Sequence, residues 1–294
     1  MIYVSSSCIK ATTIKDAVLY LCRQGIKNIE LSSGTEFYDE IEGDLLELQA
    51  KYNLQYICHN YFPPNKEHFV LNLASLDDGI YERSIEQIMR SAKLSVKLGA
   101  KKMGFHAGFL IDIDSHEIGG RLKLKNTFNK ERAIERFCRA VIMLQREVDN
   151  LDLYIENNMI SIENKNVYKN INPLLLVNYD DYIELKSKLN FKLLLDVAHL
   201  KISSMTYGRD FHSELDMLVK ETDYLHLSDN DGLCDQNKGF DGSSDLIRLL
   251  SRYDLSKRTM TLEIYEGVQE VQKAFNVLLD VVTSYNTGTA KGTL

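Results

Sequence analysis

Residues 191–201, FKLLLDVAHLK, constrain the fold of this chain more than any other stretch. Phe191 and the three leucines at 193–195 form a nearly unbroken apolar run, which is typical of a β-strand buried on both faces, as in a parallel sheet. The run ends at Asp196, and His199 follows shortly after. Asp196 is therefore either the N-cap of a following helix or, together with His199, part of a metal site.

The same pattern, an apolar run that ends in a histidine or an acidic residue, recurs along the chain. The predicted strands that end in this way finish at His59, His106, Glu156, Asp196, His226 and Glu263. A single residue of this kind is often a helix cap or a hydrogen-bonded core residue. A whole series is difficult to explain by capping, and we interpret it as one functional face.

Strand-like and helix-like segments alternate along the whole chain. The strands are predicted over residues 2–6, 28–32, 54–59, 102–106, 151–156, 191–196, 223–226 and 259–263. The helices are predicted over residues 13–24, 45–52, 77–98, 130–148, 179–189, 211–221, 246–253 and 268–282. This alternation predicts an α/β fold, a single (β/α)8 TIM barrel with its active site at the carboxyl ends of the strands. We expect residues 1–294 to form one domain, with residues 284–294 as a frayed tail.

The composition limits the classes of function. The chain has 294 residues, of which 44% are hydrophobic, and a formal net charge of −7, so it offers no general basic surface for nucleic acid. A local basic groove is compatible with this charge, so nucleic acid binding is disfavoured rather than excluded. The N-terminus lacks the features of a signal peptide, and no apolar run reaches the roughly 18 residues of a membrane span. The five cysteines form no CxxC pair, which predicts a reduced, cytoplasmic protein without a membrane partner.

The residues at the strand ends predict a metal site. Brought to one face, three carboxylates and three imidazoles repel one another or stay unsatisfied unless a cation neutralises them. Their nitrogen and oxygen donors suit zinc, manganese, cobalt or iron, and we expect one divalent ion or two. Cys58 is left out because it precedes His59 and points to the opposite side of the strand. Glu30, inside the second predicted strand, faces either the barrel interior or solvent.

These motifs resemble the TIM barrels of the endonuclease IV and xylose isomerase-like superfamily, over residues 2–282. The matching segments are DVAH from Asp196, HLSDNDG from His226, LEIY around Glu263, IEN around Glu156, and the pair CHNYF and GFHAG. FVLNLAS, at 69–75, looks like the endonuclease IV branch, whereas HLSDNDG and LEIY look like the sugar isomerase and epimerase branch. The resemblance implies one metal that is held by Glu156, Asp196, His226 and Glu263.

The endonuclease IV pattern also implies further metals. His59 and His106 would hold a second metal, with the glutamate of the fifth strand bridging it to the first. A third metal would need a histidine after the sixth strand and an Asp-x-His in the loop after the seventh. His199 and Asp235 are present, but Asn237 stands in place of the loop histidine. Because asparagine is a poor transition-metal ligand, the pattern for the third site is incomplete.

Two functions follow from the resemblance, and the first is a metal-dependent isomerase or epimerase of a sugar, a sugar phosphate or a related polyol. In the epimerases that this chain resembles, two metal-bound glutamates exchange the proton. Glu156 and Glu263 are therefore the catalytic candidates, and His199 would orient a substrate hydroxyl. Further candidates for substrate binding are His59, His106, Asn158, Lys201, Asp229 and Lys238, with Arg209 as another candidate for a phosphate.

The second function is a metal-dependent phosphodiesterase of the endonuclease IV type, acting on DNA at abasic sites. Clustered metals would generate hydroxide and stabilise the leaving oxygen. His59 and His106 favour this function, whereas Asn237 and the acidic composition favour the sugar enzyme. For either function we expect residues 111–129 and 159–179 to close over the substrate. The sequence is compatible with a homo-oligomer.

Overall fold

A computed structural model of the chain describes residues 1–169 and 171–286. Within these residues, eight parallel strands close into a barrel in chain order, with the last strand beside the first. The strands are β1 (Ile2–Ser5), β2 (Asn28–Leu31), β3 (Gln55–His59), β4 (Lys102–His106), β5 (Asp152–Glu156), β6 (Lys192–Asp196), β7 (Tyr224–Leu227) and β8 (Thr259–Leu262). The predicted TIM barrel is confirmed.

Helices connect the strands of the barrel. They are α1 (Ile14–Arg23), α2 (Ile41–Tyr52), α3 (Asp78–Lys97), α4 (Lys130–Glu147), α5 (Ile162–Val167), α6 (Tyr179–Lys186), α7 (Val197–Tyr207), α8 (Phe211–Leu218), α9 (Asp245–Leu250) and α10 (Val268–Asn286). Short 3₁₀ turns cover Ser6–Cys8, Ser115–Glu117 and Val219–Glu221. No helix in the described part of the chain is long and apolar enough to cross a membrane.

The structure differs from the predicted helices in four places. Helix α5 was not expected, and α7 was expected only under the alternative that Asp196 is an N-cap. Helix α2 begins before the predicted residue 45 because Glu42 and Asp44 in its first turn conceal the apolar spacing. Acidic residues at that position favour the positive end of the helix dipole. The predicted frayed tail is helical over residues 284–286, and its remainder, residues 287–294, lies outside the described residues.

The strands are buried on both faces, as their apolar runs predict. In β6, Leu193, Leu194 and Leu195 are buried completely or almost so. In β3, Cys58 is hydrogen-bonded to Ser95 of α3 outside the barrel, while the next residue, His59, contacts groups inside it. The two side chains therefore point to opposite sides of the strand, as expected from its pleat.

A glycine in β4 makes room for a functional side chain inside the barrel. A Cβ atom added at Gly104 would lie 2.6 Å from Cδ2 of Leu194 and 2.8 Å from Cδ2 of His59. Both distances are shorter than van der Waals contact, so the position excludes any side chain without a shift of its neighbours. The imidazole of His59 therefore occupies space that another residue at position 104 would fill.

Side-chain amides tie together the long loops that follow β3, β4 and β5. Asn72 accepts the N–H of Phe109 and donates to the carbonyls of Phe109 and Ile111. Asn164, in α5, accepts the N–H of Leu122 at 2.9 Å. A second apolar cluster packs between these loops and consists of Val70, Phe109, Ile111, Leu122, Ile160, Tyr168, Leu174 and Val177. The loops therefore form a fixed wall above one side of the barrel.

Replacing Gly104 with alanine tests the space requirement in the barrel. Because the added methyl group collides with Leu194 and His59, we expect a loss of about 1–3 kcal/mol in the free energy of unfolding. Chemical denaturation measures this loss. The matched control is Gly43→Ala in α2, where no atom lies within 4 Å of the added carbon and alanine should stabilise the helix by roughly 0.5–1 kcal/mol. Equal effects of the two substitutions would contradict the packing argument.

Candidate active site

The carboxylate of Glu156, at the end of β5, lies at the centre of the site and is 1% exposed. Its Oε2 atom lies 2.6 Å from Nε2 of His59 and 3.3 Å from Nδ1 of His106. Its Oε1 atom lies 3.6 Å from Nδ1 of both His199 and His226. The structure therefore places four imidazoles around one buried carboxylate.

The parallel register explains why these side chains meet. His106 pairs with Glu156 across β4 and β5, and Asp196 pairs with His226 across β6 and β7. His199 enters from the first turn of α7, directly after β6. Every predicted strand-end residue consequently lies within one cluster, although the contacts within the cluster differ from residue to residue.

The charges in this cluster stabilise one another. Burial alone raises the pKa of a carboxyl group because the ionised form loses hydration. At Glu156 the charges of His106, His59 and His226 outweigh this burial and hold the pKa well below its usual range. Burial lowers the pKa of His226, but nearby carboxylates, that of Glu30 foremost, outweigh it and raise the pKa well above 6.5. Without a metal, the site is a network of opposite buried charges.

His106 differs from its neighbours because it is more easily kept neutral. Burial lowers its pKa, the carboxylate of Glu156 opposes this shift, and His59, His199 and His226 add repulsion, so that the pKa falls to about 4. Its Nδ1 atom has no hydrogen-bond partner. A neutral imidazole with an unpartnered nitrogen is the form in which histidine binds a metal.

Glu263 directly follows β8 and approaches the same histidine as Glu156. Its N–H donates to the carbonyl of Leu227 at 3.1 Å, which extends the pairing of β7 and β8 by one step. Its Oε2 atom lies 3.5 Å from Nδ1 of His226. The two glutamates that the sequence singles out as catalytic therefore converge on one nitrogen atom from β5 and β8.

Asp196 is the N-cap of α7. Its Oδ1 atom accepts the N–H of His199 at 2.7 Å, and its Oδ2 atom lies 3.9 Å from Nε2 of the same residue. Burial raises its pKa to about 7, with His199 opposing the shift. The capping alternative is thus present in the structure, and it engages one carboxylate oxygen. The ligand role of Asp196 remains a prediction for the other oxygen.

The loop after β7 places an acidic residue against His199. Nδ1 of His199 is hydrogen-bonded to the carbonyl of Asn157 at 3.0 Å, and Nε2 lies 3.6 Å from Oδ2 of Asp235. Oδ1 of Asp235 is buried and has no hydrogen-bond partner. Asn237, which stands in place of the loop histidine, adopts a left-handed backbone conformation with φ of 46° and also lines the cavity.

A cavity of about 640 Å³ opens above the cluster. Glu156, Glu263, His59, His106 and His199 lie at its base, whereas Asp196 and His226 are not among its described lining residues. The two long loops contribute to its wall through Ile113, Ser115, His116, Glu117, Ile118, Gly119, Gly120, Leu122, Met159, Asn164 and Leu174, and their closure over a substrate remains a prediction. The described lining contains no lysine or arginine.

Some predicted substrate-binding residues have other contacts. Lys201 is paired with Asp229 at 2.8 Å, and the backbones of Asp229 and Lys238 exchange two hydrogen bonds. None of these three lines the cavity, and Arg209 is bound to Glu214 and an aspartate. Asn158 does line the cavity. However, its amide nitrogen donates to carbonyls of the loops after β4 and β5, so it holds these loops together.

The donor atoms of the cluster fit a divalent metal. Three sets of ligand atoms lie within 4.8 Å of one another: His59, Glu156 and His226; His106, Glu156 and His199; and Glu30, His226 and Glu263. Asp196 is in none of these sets. Buried polar atoms normally have partners, yet Nδ1 of His106 and His226 and Oδ1 of Asp235 have none. A cation would supply the missing partner, and nitrogen with carboxylate oxygen suits zinc, manganese or cobalt.

Glu30 is the residue of this cluster that sequence reasoning left undecided. It is completely buried inside the barrel, where it contacts His226 at 3.1 Å and the hydroxyl groups of Thr261 and Tyr224. The signal was an acidic residue within NIEL, between Ile29 and Leu31. In a strand covered on both sides, a single polar residue does not reveal which side is polar.

The comparisons with known proteins agree with this fold. Residues 24–281 match the family model of the xylose isomerase-like TIM barrel, and the chain belongs to this family. A search among curated proteins found no matching sequence.

Solved structures similar to this chain include both branches that its motifs resemble. A D-tagatose 3-epimerase-like protein has a TM-score of 0.71 at 14% identity, covering 98% of this chain and 99% of its own. An L-ribulose 3-epimerase has a TM-score of 0.66 at 14% identity, covering 98% and 96%. Endonuclease IV from Thermus thermophilus has a TM-score of 0.61 at 14% identity, covering 96% and 99%. At these identities the likeness is one of fold.

Substituting His106 with asparagine tests the neutral, partly buried imidazole. Between its folded pKa of about 4 and its unfolded pKa of 6.5, the unfolded chain binds the proton more tightly. The contribution of His106 to the stability of the metal-free protein is therefore complete above pH 6.5 and is lost as the pH falls towards 4. We expect the metal-free wild type to lose more stability than His106→Asn over this window in urea unfolding. A pH-independent difference between the two proteins would contradict the assignment.

Proposed function

We propose that the protein is a divalent-metal-dependent isomerase or epimerase of a sugar or related polyol, with Glu156 and Glu263 as acid and base. The observation that carries this proposal is the convergence of two carboxylates, which lie 3.6 and 3.5 Å from Nδ1 of His226. Both glutamates also line the cavity. Two carboxylates that reach one cavity from different strands can serve different sides of a bound substrate.

The metal would be held by Glu156, His226 and Glu263, together with the oxygen of Asp196 that does not cap α7. The unpartnered Nδ1 of His226 supports this assignment. A divalent metal bound there would polarise the carbonyl and hydroxyl oxygens of the substrate, which acidifies the neighbouring carbon-bound proton.

The two glutamates would move the proton. One carboxylate removes the proton from the hydroxyl-bearing carbon next to the carbonyl, and the electron pair of that bond moves towards the carbonyl to give an enediolate. The other glutamate, in its protonated form, returns a proton. Delivery to the opposite face of the same carbon is epimerisation. Delivery to the former carbonyl carbon, with the proton of the neighbouring hydroxyl passing to the former carbonyl oxygen, is aldose–ketose isomerisation.

His199 would orient a substrate hydroxyl group. The bond from its Nδ1 to the carbonyl of Asn157 fixes the ring and leaves Nε2 facing Asp235 at the cavity. His59 and His106, on the other carboxylate oxygen of Glu156, face the cavity from neighbouring strands. Imidazole groups of this kind can accept from and donate to sugar hydroxyls.

The character of the cavity supports a sugar over a nucleic acid. Its described lining combines imidazole, carboxylate, amide and hydroxyl groups with apolar side chains and includes no lysine or arginine. Binding to DNA depends mainly on contacts from lysine and arginine to phosphates. Of the cations predicted to bind a phosphate, Lys201 and Arg209 are paired with carboxylates and Lys238 does not line the cavity, so an uncharged substrate fits this cavity better than a phosphorylated one.

The second candidate is a zinc phosphodiesterase of the endonuclease IV type, acting on abasic DNA. The observation in its favour is that His59 and His106 share one oxygen of Glu156, at 2.6 and 3.3 Å, as a second metal would require. The contact of His199 with Asp235 adds part of a third site. Asn237 and the lining without lysine or arginine count against it.

Counting metal ions per chain in the purified protein separates the two candidates. One ion that exchanges among manganese, cobalt and magnesium is the result we expect, and it justifies a screen of sugars for isomerisation and epimerisation. Two or more tightly held zinc ions would instead favour phosphodiester cleavage, with abasic DNA as the first substrate. A chain that holds no metal after reconstitution would contradict both functions.

Replacing either catalytic glutamate with glutamine tests the acid–base assignment. Glu156→Gln and Glu263→Gln each remove one proton-transfer group, so turnover should fall by at least about 10²–10⁴-fold while the protein stays folded. Turnover of the sugar found in the screen, and uptake of deuterium from D₂O at its reacting carbon, measure the effect. The control is Glu214→Gln, a buried carboxylate that is bound to Arg209 away from the cavity. Full activity in either test variant would refute the assignment.

A further inference from the structure

Glu30 is a buried carboxylate for which the proposed reaction has no use. It lies in β2 between Ile29 and Leu31, and its side chain is completely buried inside the barrel. Its Oε2 atom accepts hydrogen bonds from the hydroxyls of Tyr224 and Thr261, the latter at 2.8 Å. A buried carboxylate is retained only where several donors compensate its lost hydration, which these contacts do.

The third group on Glu30 is the ring of His226. Both carboxylate oxygens lie 3.1 Å from Nε2 of this histidine. The ring has its other nitrogen, Nδ1, towards Glu156 and Glu263, and this atom has no hydrogen-bond partner. One edge of the imidazole thus faces a fixed acceptor, while the other faces the centre of the site.

The contacts of Glu30 determine which nitrogen of His226 carries hydrogen. An ionised carboxylate only accepts hydrogen bonds, so Nε2 must donate to it. In the neutral imidazole the other nitrogen, Nδ1, then has a free electron pair directed at Glu156 and Glu263. Glu30 itself is not among the described lining residues of the cavity, and both of its carboxylate oxygens contact Nε2 of His226. It therefore acts through His226 and does not contact a substrate.

We propose that Glu30 is a positioning residue for His226. It accepts a hydrogen bond from Nε2–H of His226 and thereby fixes the ring so that Nδ1 faces the metal site. Tyr224 and Thr261 hold Glu30 in turn, so the orientation of the ligand is set by β2, β7 and β8 of the barrel. Metal-binding histidines commonly use their second nitrogen in this way, and loss of the acceptor weakens metal binding. The inference rests on the proposed metal site.

A metal titration of Glu30→Gln tests this role. The substitution keeps the size of the side chain but removes the charge that holds Nε2–H, so the dissociation constant for manganese or cobalt should rise by about 10–100-fold. Circular dichroism and thermal unfolding establish that the variant is folded. Glu214→Gln, which removes a buried carboxylate away from the site, should bind metal like the wild type. Wild-type affinity in folded Glu30→Gln would overturn the inference and leave the proposed function standing.

A second measurement uses the wild-type protein and does not depend on the folding of a variant. In protein labelled with ¹⁵N-histidine and loaded with zinc or ¹¹³Cd, we expect the NMR spectrum of His226 to show hydrogen on Nε2 and the metal on Nδ1. Metal on Nε2, with hydrogen on Nδ1, would overturn the inference. A wild-type protein that takes up neither ion would overturn it together with the proposed metal site.

Discussion

The buried charge of Glu156 is the constraint on which the rest of the site depends. A carboxylate that is 1% exposed is costly unless neighbouring groups compensate it. Four imidazoles surround it here, and they come from β3, β4, β7 and the first turn of α7. These elements must therefore end at the same depth, which the parallel register provides. A slip of one residue in any of the three strands would turn its imidazole away from the carboxylate.

The site is held from inside the barrel as much as from its rim. Inside the barrel, the hydroxyls of Tyr224 and Thr261 donate hydrogen bonds to Glu30. Glu30 contacts Nε2 of His226, and Nδ1 of the same ring faces Glu156. Hydrogen-bonded buried polar groups restrict one another's arrangement, so the two hydroxyls restrict the side chain of Glu30. The candidate residues Glu156 and His226 are thus positioned by the strands, whereas the loops above them form the cavity wall.

The barrel and the clustering of polar residues at its strand ends could be predicted from sequence because they follow local rules. Apolar runs that end in a charged residue located β6 and its neighbours, and the structure confirms the strands they predicted. The burial of Glu30 could not be predicted, since a strand covered on both sides lacks the alternation that tells one face from the other. The pairing of Lys201 with Asp229 could not be predicted either, because it joins helix α7 to the loop after β7. Asp196 shows a third reason, because an aspartate at this position can be a helix cap, a metal ligand or both. Only the structure shows that one of its oxygens, Oδ1, caps α7.

The amide contacts of Asn72 and Asn164 fix a cavity wall that can change independently of the residues at the base of the cavity. Because they tie the long loops together before any ligand arrives, the cost of ordering the backbone, roughly 1–2 kcal/mol per residue, falls on folding and not on binding. Affinity then reflects the fit of a molecule to a wall that already exists. Substitutions in this wall can change which molecules enter while Glu156 and its imidazoles stay in place. Such a barrel can acquire new specificities in small evolutionary steps, without rebuilding its chemistry.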